Sequence, residues 1–236
     1  MKKIIIIRAG SPAWKEQNRL QGTLPLPISE TGKEVLDRIS SFLKEEGIDC
    51  LYSSGNESSG PTAQYLSHQF GFKTKKHTGL RELNCGLWQG LCLQDIQKRF
   101  GTSYKQWKQD PTAFTPPQGE STLAAYDRIR DAVRQILRKS GEKKVAVIAG
   151  QMAAAMIECH LTQKDVNTLW QVAAQEAPLK VLECQSRIAA GPYEVYVPNL
   201  QVATPSQSKP AAAKRIKNEI EEEDPGQSFQ FEAGIA

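Results

Sequence analysis

Few residues in this chain are equipped to do chemistry. Histidine occurs three times, as His68, His77 and His160, and cysteine five times, as Cys50, Cys85, Cys92, Cys159 and Cys184. No two cysteines form a C-x-x-C pair, so neither a zinc site nor a disulfide framework is signalled. Reduced thiols in a cytoplasmic protein are the expectation, with no metal and no cofactor. Arg8 directly follows the apolar run Ile4–Ile7. A guanidinium at such a strand end can hold an oxyanion through its planar fork. Lys15 would add a second positive charge nearby. That makes Arg8 and Lys15 the candidate anion-binding pair.

These residues need elements to position them. Ile4–Ile7 is a short β-branched run that reads as a central strand buried on both faces. Ser29–Glu46 carries Val35, Ile39, Phe42 and Leu43 at helical spacing, and Gly47 ends it. Ile48–Ser53 reads as a second strand and Pro61–Phe70 as a helix stopped by Gly71. Leu93–Phe100 and Ser103–Lys108 read as short helices separated by Gly101. Leu123–Arg138 places Ile129, Val133, Ile136 and Leu137 on one helical face. Lys144–Ala149 is a further strand, Met152–Leu161 an apolar helix, and Leu179–Cys184 and Tyr193–Val197 closing strands. Strands that alternate with helices predict a three-layer α/β/α domain with a mostly parallel central sheet. Ligands of such sheets bind beyond the carboxyl ends of the strands, which points to the residues after Ile7, Ser53 and Ile148.

Composition sets the outer bounds. A chain of 236 residues with 39% hydrophobic content supports one sizeable core. The net charge of +4 comes without a basic cluster interleaved with aromatics, so nucleic acid is not expected as a partner. No apolar stretch approaches the ~18 residues of a membrane span, so no membrane association is expected. Residues 1–202 read as the domain. The stretch 203–236 holds four basic and six acidic residues and reads as a largely disordered charged tail. Residues 211–223 of that tail are near the length limit of an isolated helix. Phe229 and Phe231 are potential docking residues.

Several segments together resemble the histidine phosphatase superfamily, the phosphoglycerate-mutase-like proteins. That family opens with a strand running into Arg-His-Gly, and here Ile4–Ile7 runs into Arg8-Ala9-Gly10. Its next landmarks are matched by Trp14, by Arg19-Leu20-Gln21-Gly22 and by Leu26–Gly32. Tyr52-Ser53-Ser54 stands for the end of its second strand. Leu80-Arg81-Glu82, Gly86-Leu87-Trp88, Gln89-Gly90 and Pro116–Ser121 follow in the family's order. Each motif alone is weak; their order and spacing over roughly residues 1–200 are strong. The linker between Leu91 and Gln118 is similar to the small-phosphatase branch, such as the cobalamin-pathway and broad-specificity phosphatases.

The resemblance implies a chemistry and also where it is interrupted. In the family a histidine attacks phosphorus and carries the phosphoryl group. Two arginines and a second histidine hold the phosphoryl oxygens, and a carboxyl group protonates the leaving oxygen. Matched position by position, the nucleophile is Ala9, the second arginine is Ser58 in the register fixed by Thr62-Ala63, and the second histidine is Gly150. Pro12 and Lys15 replace two neighbouring polar residues. Arg8 and Glu82 remain. No catalytic residue is therefore expected, and Arg8, Ala9, Ser58, Glu82 and Gly150 are read as vestigial pocket positions. With Ala9, Ser58 and Gly150 in place, the pocket is expected to be larger and less polar. Glu82 is expected to be an ion-pair partner, with Arg8 as the candidate.

The expected function is accordingly that of a pseudoenzyme, a binding, regulatory or scaffolding protein. The alternatives are an active phosphomonoesterase with rewired residues, using Glu82 as base, and an inactive subunit paired with an active paralogue. The partner would be a protein or a small anionic ligand. The family's habit of dimerising adds a homodimer to the expectations. Of the histidines, His160 lies about 15 Å along the helix from Gly150 at 1.5 Å per residue. Surface or packing roles are expected for all three histidines.

Overall fold

The structure is a computed structural model that describes residues 2–10, 18–141, 143–175, 177–184 and 192–200. Strand β1 (Lys2–Arg8) is followed by helix α1 (Glu30–Glu45), β2 (Cys50–Ser53), α2 (Ser59–Phe70) and β3 (Thr74–Lys76). Next come α3 (Leu93–Arg99), α4 (Gly101–Gln109), α5 (Thr122–Ser140), β4 (Val145–Ala149) and α6 (Gln151–Thr162). The order closes with α7 (Leu169–Ala174), β5 (Leu179–Cys184) and β6 (Glu194–Tyr196). The sheet runs β3-β2-β4-β1-β5-β6. Strands β1, β2, β3 and β4 pair in parallel, while β5 and β6 run antiparallel on one side.

The four isoleucines explain why β1 lies inside the sheet. Side chains alternate across a strand. Ile4 and Ile6 join a core shared with α5 and α6, whereas Ile5 and Ile7 join a second core under α1 and α2. A strand buried on both faces must be apolar at every position. Burial of each isoleucine contributes roughly 2 kcal/mol. β4 divides its residues in the same way, Val145 and Val147 to one core and Ala146 and Ile148 to the other. This gives the α/β/α arrangement.

The helices start and stop where local chemistry directs. The Ser29 hydroxyl accepts a hydrogen bond from the Gly32 N–H at the start of α1, and Ser121 does the same for Ala124 at the start of α5. Gly71 ends α2 with φ 74°, a conformation that glycine adopts without Cβ strain. Gly101, expected to separate two helices, is instead the first residue of α4, and the break falls at Phe100. Two short elements, β3 and α7, have no counterpart in the sequence reading. β3 is three exposed residues without alternation, and α7 is barely more than a turn.

Candidate functional site

The carboxyl ends of β1, β2 and β4 share one edge of the sheet, and the sequence-derived positions gather there. Arg8 pairs with Ala149, and the Ala9 N–H donates to the Ala149 carbonyl at 2.9 Å, which places Ala9 beside Gly150. The Gly10 N–H donates to the Thr62 hydroxyl at 2.8 Å, tying the end of β1 to the first turns of α2. That hydroxyl donates in turn to the carbonyl of Ser58, a buried residue at the N-terminus of α2. Ala9 is partly buried against the core under α1 and α2. Lys15, Pro12, Trp14 and the tail with Phe229 and Phe231 lie outside the described residues.

Glu82 joins this edge from a segment that is neither helix nor strand. The Glu82 side chain is buried, and its oxygens face the start of α6. Oε2 accepts from the Met152 N–H at 3.0 Å, and Oε1 accepts from Ala153 at 3.0 Å and Leu83 at 2.6 Å. Burial raises its pKa from 4.5 to about 7, against the pull of those three N–H groups and the Arg8 charge. Backbone amides hold the carboxyl group, and Arg8 adds a weaker electrostatic attraction.

A Cβ on Gly150 would overlap the Glu82 carboxylate, so the space beside that glycine is already filled. Behind Arg8 a void of only about 10 Å³ lies against Gln151, Glu158 and Lys180, enough for about one water. An open cleft of about 660 Å³ lies beside the Ser58 and Glu82 segments, lined by Thr23, Asn56, Glu57, Gly60, Arg81 and Asn84 among others.

A clamp fixes the Glu82 segment. Both Arg128 and Glu120 are largely buried, and Arg128 donates to the two oxygens of Glu120 at 2.9 and 2.7 Å. Its remaining terminal nitrogen donates to the carbonyls of Gly79 and Arg81. The Glu120 and Leu87 N–H groups donate to Asn84 and Pro117 carbonyls, closing the two loops on each other. Trp88 anchors the far end, stacked on Phe114 at 5.2 Å and packed against Trp107 at 5.3 Å.

Sequence reasoning missed two buried carboxylates. Glu57, next to Ser58, has φ 48° and accepts from the Ser54 hydroxyl at 2.6 Å and from the Glu82 N–H, and burial raises its pKa. Glu158 is paired with Lys180 at 2.6 Å and Lys164 at 3.1 Å. Its signal was available, a single acid within the apolar run of α6. Of the histidines, His77 lies at the carboxyl end of β3, its N–H donating to the Ser53 carbonyl at 2.8 Å. His68 is exposed on α2, His160 packs edge-on to Tyr126, and His77 has a buried Nδ1 without a hydrogen-bond partner. Cys50, Cys85, Cys92 and Cys159 are free thiols, and no cluster of metal-binding side chains occurs among the described residues.

Comparison with known proteins supplies the family. The model of the histidine phosphatase superfamily (branch 1) matches residues 4–189. This chain belongs to the histidine phosphatase superfamily. Phosphoserine phosphatase 1 of Hydrogenobacter thermophilus is 22% identical over 187 residues, spanning 79% of this chain and 89% of that protein. Phosphoglycerate mutase-like protein 4 of Arabidopsis thaliana is 30% identical over 160 residues, 66% of this chain and 70% of its own length. Among solved structures, Bacillus stearothermophilus YhfR superposes with a TM-score of 0.73 at 19% identity, covering 84% of this chain and 96% of that one. The VO3 complex of a mycobacterial glucosyl-3-phosphoglycerate phosphatase gives 0.72 at 21% identity, covering 84% and 99%. These structural likenesses establish the histidine-phosphatase fold. No helix among the described residues is long and apolar enough to cross a membrane.

Proposed function

We propose that this member of the superfamily does not run the phosphohistidine route and acts by binding a protein partner or a small ligand. What carries the proposal is Ala9, which follows β1 where the resemblance puts the family's nucleophile. A methyl group has no lone pair to offer phosphorus, so no covalent intermediate can form there. Ser58 and Gly150 add to the case, because neither supplies the charge that stabilises a transferring phosphoryl group.

The relatives' names, taken alone, favour a second reading, an active phosphomonoester hydrolase. Phosphoserine phosphatase and glucosyl-3-phosphoglycerate phosphatase are names of such enzymes. Water would have to attack directly, with Glu82 as base. That base sits with both oxygens committed to backbone amides, which argues against it. A third arrangement, an inactive subunit beside an active paralogue, would show itself as co-purification from the native source.

A panel of phosphoesters tested on the wild type, beside the triple variant Ala9→His, Ser58→Arg, Gly150→His, separates the readings. The expected outcome is turnover in the triple variant alone. Turnover by the wild type that is lost in Glu82→Gln would establish the hydrolase instead.

A further inference from the structure

The start of α6 is an anion site by its physics. The first-turn N–H groups of a helix lack partners within it, and the aligned peptide dipoles favour negative charge there. In this protein those donors are already occupied, because Glu82 brings one carboxyl oxygen to the Met152 N–H and the other to the Ala153 N–H. Gly150 leaves the room that this arrangement uses. Its backbone, at φ −69° and ψ −175°, is extended and open to any residue, so the turn does not require glycine. The Glu82 carboxylate fills the space a Cβ would need.

We propose that the Glu82 carboxyl group is an internal plug that closes the Arg8–Gly150 edge to phosphate and other tetrahedral oxyanions. The inference rests on the non-catalytic reading above, since an enzyme acting on phosphoesters must admit phosphate. An external oxyanion has to displace a tethered carboxylate that is bound by the same amides. Its apparent affinity falls by the fraction of molecules in which Glu82 has swung away.

Inorganic phosphate and orthovanadate serve as probes, followed by calorimetry and by the amide resonances of Met152 and Ala153. Two variants open the site by opposite means. Glu82→Ala deletes the carboxylate, and Gly150→Ala leaves it in the chain but takes its space. Both are expected to bind phosphate about tenfold or more tightly than the wild type, without gaining turnover. Wild-type binding as tight as the variants', or folded variants that gain nothing, would overturn the inference. If circular dichroism shows one variant unfolded, the other decides. If both unfold, the wild-type titration decides: shifted Met152 and Ala153 amides overturn the proposal, and unmoved ones support it. Phosphate binding by the wild type without turnover overturns the closure alone. Wild-type turnover overturns the non-catalytic reading.

Discussion

A buried carboxylate is tolerable only where donors meet both its oxygens, and Glu82 satisfies that with three N–H groups. Its charged form is still penalised by burial, which raises its pKa to about 7. The folded state therefore holds this proton more tightly than the unfolded chain, whose value is near 4.5. The resulting stabilisation is complete below 4.5 and is lost as pH rises through about 7; over that window it amounts to about 3 kcal/mol. Glu57 acts with the same sign, its pKa also raised by burial, while Glu120 is held low by Arg128 and loses its contribution only in stronger acid. Urea unfolding followed across that pH range should show the wild type gaining stability toward the acid side. Glu82→Gln should flatten most of the gain, and an unchanged slope would refute the assignment. The identity of Glu82 was legible in its motif, but its partners were not. They lie about seventy residues away in α6, and no local pattern announces them.

Elements hold this edge more firmly than their secondary structure suggests. The strand ends come from sequence in a readable way: a β-branched run, then a polar or small residue, then a glycine. The segment around Glu82 could not be read that way, because it has neither helical nor strand period. Its order comes from long-range closure, with Arg128 bridging α5 to Glu120 and to the carbonyls of Gly79 and Arg81. That closure gives the Pro116–Ser121 element a purpose of its own, since Glu120 presents both oxygens to the fork of Arg128. Arg128→Met keeps much of the stem's packing and removes the fork. It should cost about 2 kcal/mol in denaturant unfolding, the scale of charge-assisted bonds lost from a partly buried pair. Hydrogen exchange should rise selectively at Gly86, Leu87 and Trp88. A loss of stability spread evenly over α5 and the sheet would argue that Arg128 is merely a packing residue.

At the scale of the whole molecule, the fold is set by residues other than Ala9, Ser58 and Gly150, the positions on which the non-catalytic proposal rests. The scaffold depends on the division of Ile4–Ile7 and Val145–Ile148 between two cores, and none of the altered positions takes part in that division except Ala9, whose methyl extends it. This is why the fold class was readable from sequence, and why the state of the pocket was only half readable. The resemblance gave the residue types expected at the pocket, whereas the position of Glu82 in the space beside Gly150 needed the third dimension. The same argument sets the order in which activity should return. Ala9→His alone supplies a nucleophile but faces Ser58 without a guanidinium and an edge still filled by Glu82. It should remain at background. Groups that act as a unit are strongly non-additive, so Ser58→Arg or Gly150→His alone should also give nothing measurable. In the triple variant the new histidine at position 150 must expel the Glu82 carboxylate from the α6 amides. That frees Glu82 to face a leaving group and should lower thermal stability at the same time. Activity on phosphoesters that appears only in the triple variant, together with a depressed melting temperature, is the expected result. Turnover from Ala9→His alone would mean that the edge is open in the native protein and that the carboxylate does not guard it.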